Sequence, residues 1–94
     1  MTKLRTADEI GYVYELAKAL MDVRERDYEG SWREEGLGCM IASNYKKSSQ
    51  IRTMFENGRY RENLARIKED LLDEINYGVL SYRLIDLMEE KNGH

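Results

Sequence analysis

The 94-residue chain is short enough to indicate one domain, residues 1–94, and its charged fraction of 35% beside a hydrophobic fraction of 41% excludes a disordered protein. A formal net charge of −3 argues against general binding to nucleic acid or to anionic membranes. No window approaches the roughly 20 apolar residues of a membrane span. With a single cysteine and no apolar run after the N-terminal charges, we expect a cytoplasmic protein.

Helical patterns run through the chain, which contains no proline. The first helix is predicted to begin at the capping-box sequence Thr6-Ala7-Asp8-Glu9 and to end near Asp27. The second is predicted over about Leu37 to Phe55, before the stop signal Asn57-Gly58. These elements predict an all-α protein, a small bundle of about three helices.

The third and longest helix is predicted from about Arg59 to Glu90, with Gly78 as the candidate position for a kink. It carries apolar residues on two sides. We predict that the core face is the stripe of Leu64, Ile67, Leu71, Ile75, Gly78, Tyr82 and Ile85. The opposite stripe is polar at first and then apolar: Glu62, Arg66, Glu69, Asp73, Asn76, Leu80, Leu84 and Leu87.

A helix that is apolar on two sides must be covered on two sides. We therefore expect the leucines of the second stripe to meet another subunit, which predicts a homo-oligomer. A single bent helix that folds its own tail back is the alternative.

Three groups of residues are candidates for ligand binding. On the second helix, Lys46, Lys47 and Arg52 can hold a phosphate, or can form a solvated basic face that pairs with the acids of the third helix. In the connector, Tyr28 and Trp32 can stack on a base, or can close the end of the bundle. On the third helix, Glu69, Asp73 and Asn76 share one face at spacings of four and three, which suits a polar ligand, a divalent cation or simple solvation.

Three segments together resemble a known family: Asp27-Tyr28-x-Gly30-Ser31-Trp32, Lys47-x-x-Gln50-Ile51 and Glu69-x-x-x-Asp73-x-x-Asn76-Tyr77. In order and spacing, over roughly residues 10 to 85, they resemble the small helical "nucleotide modification associated" domains. Those domains are similar to the MazG-like all-α nucleoside triphosphate pyrophosphatases and are common in bacteriophage genomes. The resemblance implies an oligomeric helical bundle that binds a nucleotide by its phosphates.

The pyrophosphatases hold magnesium through Glu-Glu-x-x-Glu on one helix and Glu-x-x-Asp on the next. Here only the second element has a partial match, Asp70-Leu71-Leu72-Asp73, and the second helix offers lysines where acids are needed. One carboxylate cluster that faces lysines is a poor site for two Mg²⁺ ions.

We therefore expect a non-catalytic, nucleotide-binding homo-oligomer, a phage-type protein that sequesters a nucleotide or nucleotide-derived signal. The alternative is a Mg²⁺-dependent nucleotide pyrophosphatase in which Glu69 and Asp73 hold the metal. A helical protein-interaction module without a small ligand is the third hypothesis.

Overall fold

The computed structural model describes the backbone of residues 5–28 and 30–91, and the side chains of the same residues except 26–28. Three α-helices make up most of this part of the chain: α1 (Thr6–Tyr28), α2 (Trp32–Glu56) and α3 (Leu64–Lys91). The prediction of an all-α fold with a long C-terminal helix is confirmed. None of the described helices combines the length and the apolar character that crossing a membrane requires.

The junction between α1 and α2 is shorter than the predicted connector. Gly30 adopts a φ of 73°, which an L side chain rarely tolerates, and α2 begins two residues later at Trp32. Gly36, with φ 84° and ψ 174°, then interrupts α2 and separates its first turn from the rest. The predicted start at Leu37 corresponds to the part of α2 after this kink. The helical turn before the kink is too short to show a helical period in the sequence.

The turn between α2 and α3 follows the predicted stop signal. Gly58, at φ 70°, donates its N–H to the carbonyl of Phe55 at 3.2 Å, and Arg59 donates to Met54 at 2.9 Å. This pair of bonds is the Schellman motif that closes a helix C-terminus. The rings of Phe55 and Tyr60 stack across the turn with centroids 4.6 Å apart.

α3 is the central element of the bundle. It packs against both α1 and α2, whereas the described backbones of α1 and α2 do not approach each other closely. A short 3₁₀ helix (Tyr60–Asn63) takes the place of its predicted first turn. The helix then continues through Gly78 without the kink that the sequence suggested.

The structure reverses the predicted roles of the two α3 stripes. The buried residues of α3 are Ile67, Asp70, Asp73, Asn76 and Leu84. Of the predicted core stripe, Ile67 is buried as expected and Ile75 is half-buried, whereas the other five members are exposed: Leu64, Leu71, Gly78, Tyr82 and Ile85. The reason is that α1 and α2 both cover the polar side of α3. Leu80, Leu84 and Leu87, which were expected to meet another subunit, instead lie toward α1 and α2 of their own chain.

Candidate functional site

The centre of the bundle is polar rather than apolar. Asp70, Asp73 and Asn76 follow one another at intervals of three residues along α3, and their exposed fractions are only 5%, 3% and 8%. Carboxylates are almost never buried to this degree unless they are paired. The apolar residues buried with them, among the described residues, are Ala17, Met40, Ile67 and Leu84. The most enclosed part of this protein is therefore an ionic cluster.

Lys47 supplies a cation to both aspartates from the neighbouring helix. Its Nζ lies 3.1 Å from Asp70 Oδ1 and 3.3 Å from Asp73 Oδ2. The first contact is a hydrogen bond, and the second is a close contact between opposite charges. The prediction that the carboxylates of the third helix meet a lysine of the second is met by this geometry.

The pKa of Lys47 shows the net effect of this environment. Burial lowers the pKa because it removes water from the ammonium group, but the contacts and negative charges of Asp70 and Asp73 raise it by more. The pKa of Lys47 is therefore held above its ordinary value, and the side chain is a cation over the whole physiological range.

Arg24 of α1 completes the cluster, although it was not among the residues predicted to bind a ligand. Its guanidinium places Nη1 at 2.9 Å from Asp73 Oδ1 and Nη2 at 3.2 Å from Glu69 Oε1. Arg24 lies seven residues after Ala17, so the two share the face of α1 that packs on α3. The sequence signal that could have identified Arg24 is a basic residue on the same helix face as a small apolar residue, Ala17.

Asn76 fastens α1 to α3. Its Nδ2 donates a buried hydrogen bond of 2.9 Å to the backbone carbonyl of Ala17. The alanine methyl group is small enough to let the two helices come close at this point, which brings the amide within reach. Asn76 therefore has a structural partner in addition to its predicted role toward a ligand.

A cavity of about 210 Å³ opens beside this cluster, where the ends of α1 and α2 meet the middle of α3. Its polar wall includes Arg24, Glu25, Glu35, Asp73 and Asn76. Its apolar wall is formed by Met21, Trp32, Met40 and Leu80. Three of these side chains were predicted from the sequence to bind a ligand: Trp32, Asp73 and Asn76.

Trp32 is placed as a flat wall of the cavity. The guanidinium of Arg33 lies over its ring, with Cζ 4.5 Å from the ring centroid. This cation–π contact holds the indole in place. Tyr28, the predicted partner of Trp32, has its side chain outside the described residues.

Tyr77 brings a hydroxyl to the same wall. Burial raises the pKa of Tyr77, the negative charge of Asp73 raises it further, and the positive charges of Lys47 and Arg24 oppose this increase only in part. The hydroxyl is therefore protonated at neutral pH and is available as a hydrogen-bond donor.

The structure does not bring the predicted phosphate-binding cations together. Lys47 is engaged with the aspartates, whereas Arg52 pairs with Glu56 on the outside of α2 and is 81% exposed. Lys46 is exposed as well and does not line the cavity. Glu69 lies at the rim of the cluster, with 59% of its side chain exposed.

Three buried acceptors in the described part of the chain receive no hydrogen bond: Asn44 Oδ1, Asp70 Oδ2 and Asp73 Oδ2. Each such group costs about 1–3 kcal/mol relative to a satisfied one. Two of the three belong to the cluster, so its buried aspartates can still accept hydrogen bonds from a donor group.

The residues present do not fit the magnesium ion that the resemblance implies. Both carboxylates expected to bind it, Glu69 and Asp73, already share the guanidinium of Arg24, and Lys47 adds a second positive charge. Among the side chains that the structure describes, which exclude those of residues 26–28, no three potential ligands of the histidine, cysteine, aspartate or glutamate type converge on one point. Mg²⁺ needs octahedral oxygen ligands, and two fixed cations beside the carboxylates repel it.

Comparison of the chain with family models finds no match, and comparisons with curated proteins and with solved structures find none either. The resemblance to the nucleotide modification associated domains therefore stays a prediction.

Proposed function

We propose that this protein binds the base-and-sugar end of a nucleotide or nucleotide-derived molecule in the cavity beside Asp73, without cleaving it. The observation that carries the proposal is the wall itself: an indole ring on one side, and Asp73 with Asn76 on the other. Ligand sites typically combine apolar walls with a few fixed polar groups in this way.

The charges of the wall decide which end of a nucleotide enters. Glu25, Glu35 and Asp73 are three acids against the single cation Arg24. Phosphate groups are repelled by such a wall, while base amino groups and ribose hydroxyls donate hydrogen bonds to it. A volume of about 210 Å³ is below the usual range of complete ligand pockets and suits one ring system with the phosphates directed outward.

The structure changes the residues that we assign to the phosphates. Lys46 and Arg52 remain candidate phosphate contacts, but only for a phosphate that extends to the outside of α2. Arg33, whose guanidinium lies over the ring of Trp32, is the better-placed candidate near the cavity, because Arg24 is already held by Asp73 and Glu69.

Binding without hydrolysis is supported by the poor fit of the cluster to magnesium. By resemblance, we further propose that the protein sequesters its ligand, as a phage-type protein, and that it acts as a homo-oligomer. The hypothesis of an interaction module without a small ligand is favoured by a different observation, the many exposed apolar side chains.

Trp32 is the only tryptophan of the chain, so its fluorescence reports directly on the cavity. We expect quenching when nucleosides or nucleotides are titrated in, and calorimetry should give the same affinity. Mass spectrometry of small molecules released on denaturation identifies a natural ligand. Recovery of the added nucleotide intact supports binding without cleavage. Hydrolysis that EDTA and Asp73→Ala both abolish supports the pyrophosphatase instead.

A matched pair of variants tests the stacking role. Stacking on an aromatic ring is worth about 1–3 kcal/mol, so Trp32→Ala should weaken calorimetric binding by about 5- to 150-fold. Tyr45→Ala removes an exposed aromatic ring of the same helix, which does not line the cavity, and should leave the affinity unchanged. Equal affinities of the two variants, or no binding of any nucleoside or nucleotide, would contradict the proposal.

A further inference from the structure

The outward face of α3 carries an apolar stripe that the described chain leaves mostly uncovered. We call the residues Leu64, Leu71, Ile75, Gly78, Tyr82 and Ile85 the outer stripe. Leu64, Leu71, Gly78 and Ile85 are spaced by seven residues, and Ile75 and Tyr82 follow Leu71 and Gly78 by four. This is the heptad pattern by which two helices pack along their length.

The exposure of the outer stripe is large for an isolated chain. Leu64, Leu71, Tyr82 and Ile85 are 44–70% exposed. The chain has an accessible surface of 7,560 Å², about 1,900 Å² more than expected for a compact monomer of this mass. Its radius of gyration of 15.6 Å likewise exceeds the about 12 Å of a compact domain of this length.

This excess, summed over the whole chain, is larger than the area that a stable interface needs. A standard interface buries about 800 Å² on each partner, and obligate dimers bury more. The outer stripe spans 22 residues, and its ends lie about 32 Å apart along α3.

Charges at the two ends of the outer stripe determine the direction of the second helix. Lys68 occupies the heptad position four residues after Leu64, and Glu89 occupies the same position after Ile85. Neither makes an ion pair within the residues that the structure describes. Parallel copies in register would oppose lysine to lysine and glutamate to glutamate, whereas antiparallel copies bring Lys68 close to the partner's Glu89.

Gly78 lies near the midpoint between Lys68 and Glu89. A Cβ atom added to it would meet nothing within 4 Å, so no contact inside the chain requires a glycine here. Glycine in a helix interior costs about 0.5–1 kcal/mol relative to alanine. Close packing of a second helix at this point would explain the glycine, because the absence of a side chain lets the two backbones approach each other.

We propose that two copies of this chain pair through the outer stripe, with their α3 helices antiparallel and crossing near Gly78. The interface is isologous, so the Lys68 end of the outer stripe in each copy contacts the Glu89 end of the outer stripe in the other copy. This inference rests on the proposed homo-oligomer, and it does not depend on any ligand in the cavity.

The first test measures molar mass by light scattering on a sizing column, without ligand. Wild type should elute as a dimer or a multiple of a dimer. Leu71→Asp, on the outer stripe, should halve the mass while circular dichroism shows retained helix. Ile41→Asp is the matched control, because Ile41 is an exposed isoleucine of α2 away from the stripe. A monomeric wild type overturns the homo-oligomer itself, and an unchanged mass for Leu71→Asp overturns only this interface.

The second test reads the direction of the helices by cross-linking in a Cys39→Ser background. Leu71→Cys and Ile85→Cys are prepared as separate proteins, one with a mass tag, and are mixed with a short bismaleimide. Antiparallel pairing places these two positions within about one helical turn of each other across the interface. Parallel pairing keeps them about 21 Å apart and joins each position to itself. Predominantly mixed cross-links support the proposal, and predominantly like-to-like cross-links overturn it.

Charge reversal gives an independent check of the same direction. Lys68→Glu should weaken the dimer about two- to tenfold, because it opposes two acids at each end. Adding Glu89→Lys should restore the affinity in an antiparallel dimer. In a parallel dimer the double change leaves like charges opposed, so a failure to restore the affinity contradicts the antiparallel arrangement.

Discussion

Lys47 is the residue on which the buried cluster depends most. Lys47→Met keeps the length of the side chain and its helix propensity but removes the ammonium group from Asp70 and Asp73. Removal of one partner from a buried ion pair costs about 3–5 kcal/mol. Lys47 is 27% exposed and Arg24 still contacts Asp73 at 2.9 Å, so we expect the lower end, about 3 kcal/mol. For a domain of this length, that loss lowers the melting temperature by about 12–24 °C.

Urea unfolding followed by far-UV circular dichroism measures this change in the free energy of unfolding. All variants are compared at one protein concentration, because the apparent stability of an oligomer depends on it. Arg52→Met is the matched control. It breaks an ion pair with Glu56 in which both side chains are mostly exposed, and it should cost less than about 1 kcal/mol.

The double variant Lys47→Met with Asp70→Asn tests whether the contact itself is responsible. Because the amide no longer needs a cation, the double variant should be more stable than the sum of the two single losses implies. Our account of the core is refuted if Lys47→Met destabilises the protein no more than Arg52→Met does.

Three further predictions concern stability. Folding raises the pKa values of Tyr77 and Lys47, so the folded protein binds more protons than the unfolded chain at high pH. The melting temperature should therefore be insensitive to these groups below about pH 10 and should fall as the pH rises through their folded pKa values. In thermal melts between about pH 8 and pH 11.5, Tyr77→Phe should make this fall in melting temperature shallower. Gly30→Ala should destabilise by about 1 kcal/mol, since φ is 73° there, whereas Gly11→Ala, in the open interior of α1, should stabilise by up to about 1 kcal/mol in the same urea assay. Asn76→Ala removes the hydrogen bond to α1 and should raise amide hydrogen exchange in α1 more than in α2; equal increases in both helices would count against that role.

The elements that the sequence predicted correctly are those set by local chemistry. The end of α2 follows from Asn57-Gly58, because the Schellman bonds join residues at most five apart. The start of α1 at Thr6 and the helical nature of almost the whole described chain have the same local origin. Propensity and periodicity act within one or two turns, and a single sequence displays them.

The candidate site could be predicted only in part. Asp73 and Asn76 share a face by helical spacing alone, and their position in one cavity wall agrees with that prediction. The cations could not be assigned in this way. Lys47 contacts a residue 23 positions away, and Arg24 contacts Glu69 across 45 positions, so neither contact leaves a local trace.

The sequence by itself determined that α3 has two stripes, and only the tertiary structure decided which of them lies inside. Periodicity shows which residues share a side of a helix but not which side its neighbours cover. Both sides of α3 carry enough apolar residues to be buried, so the pattern was ambiguous. The ion pairs from Lys47 and Arg24 to Asp73 settled it, because burying the aspartate side is tolerable only where cations from α1 and α2 meet it.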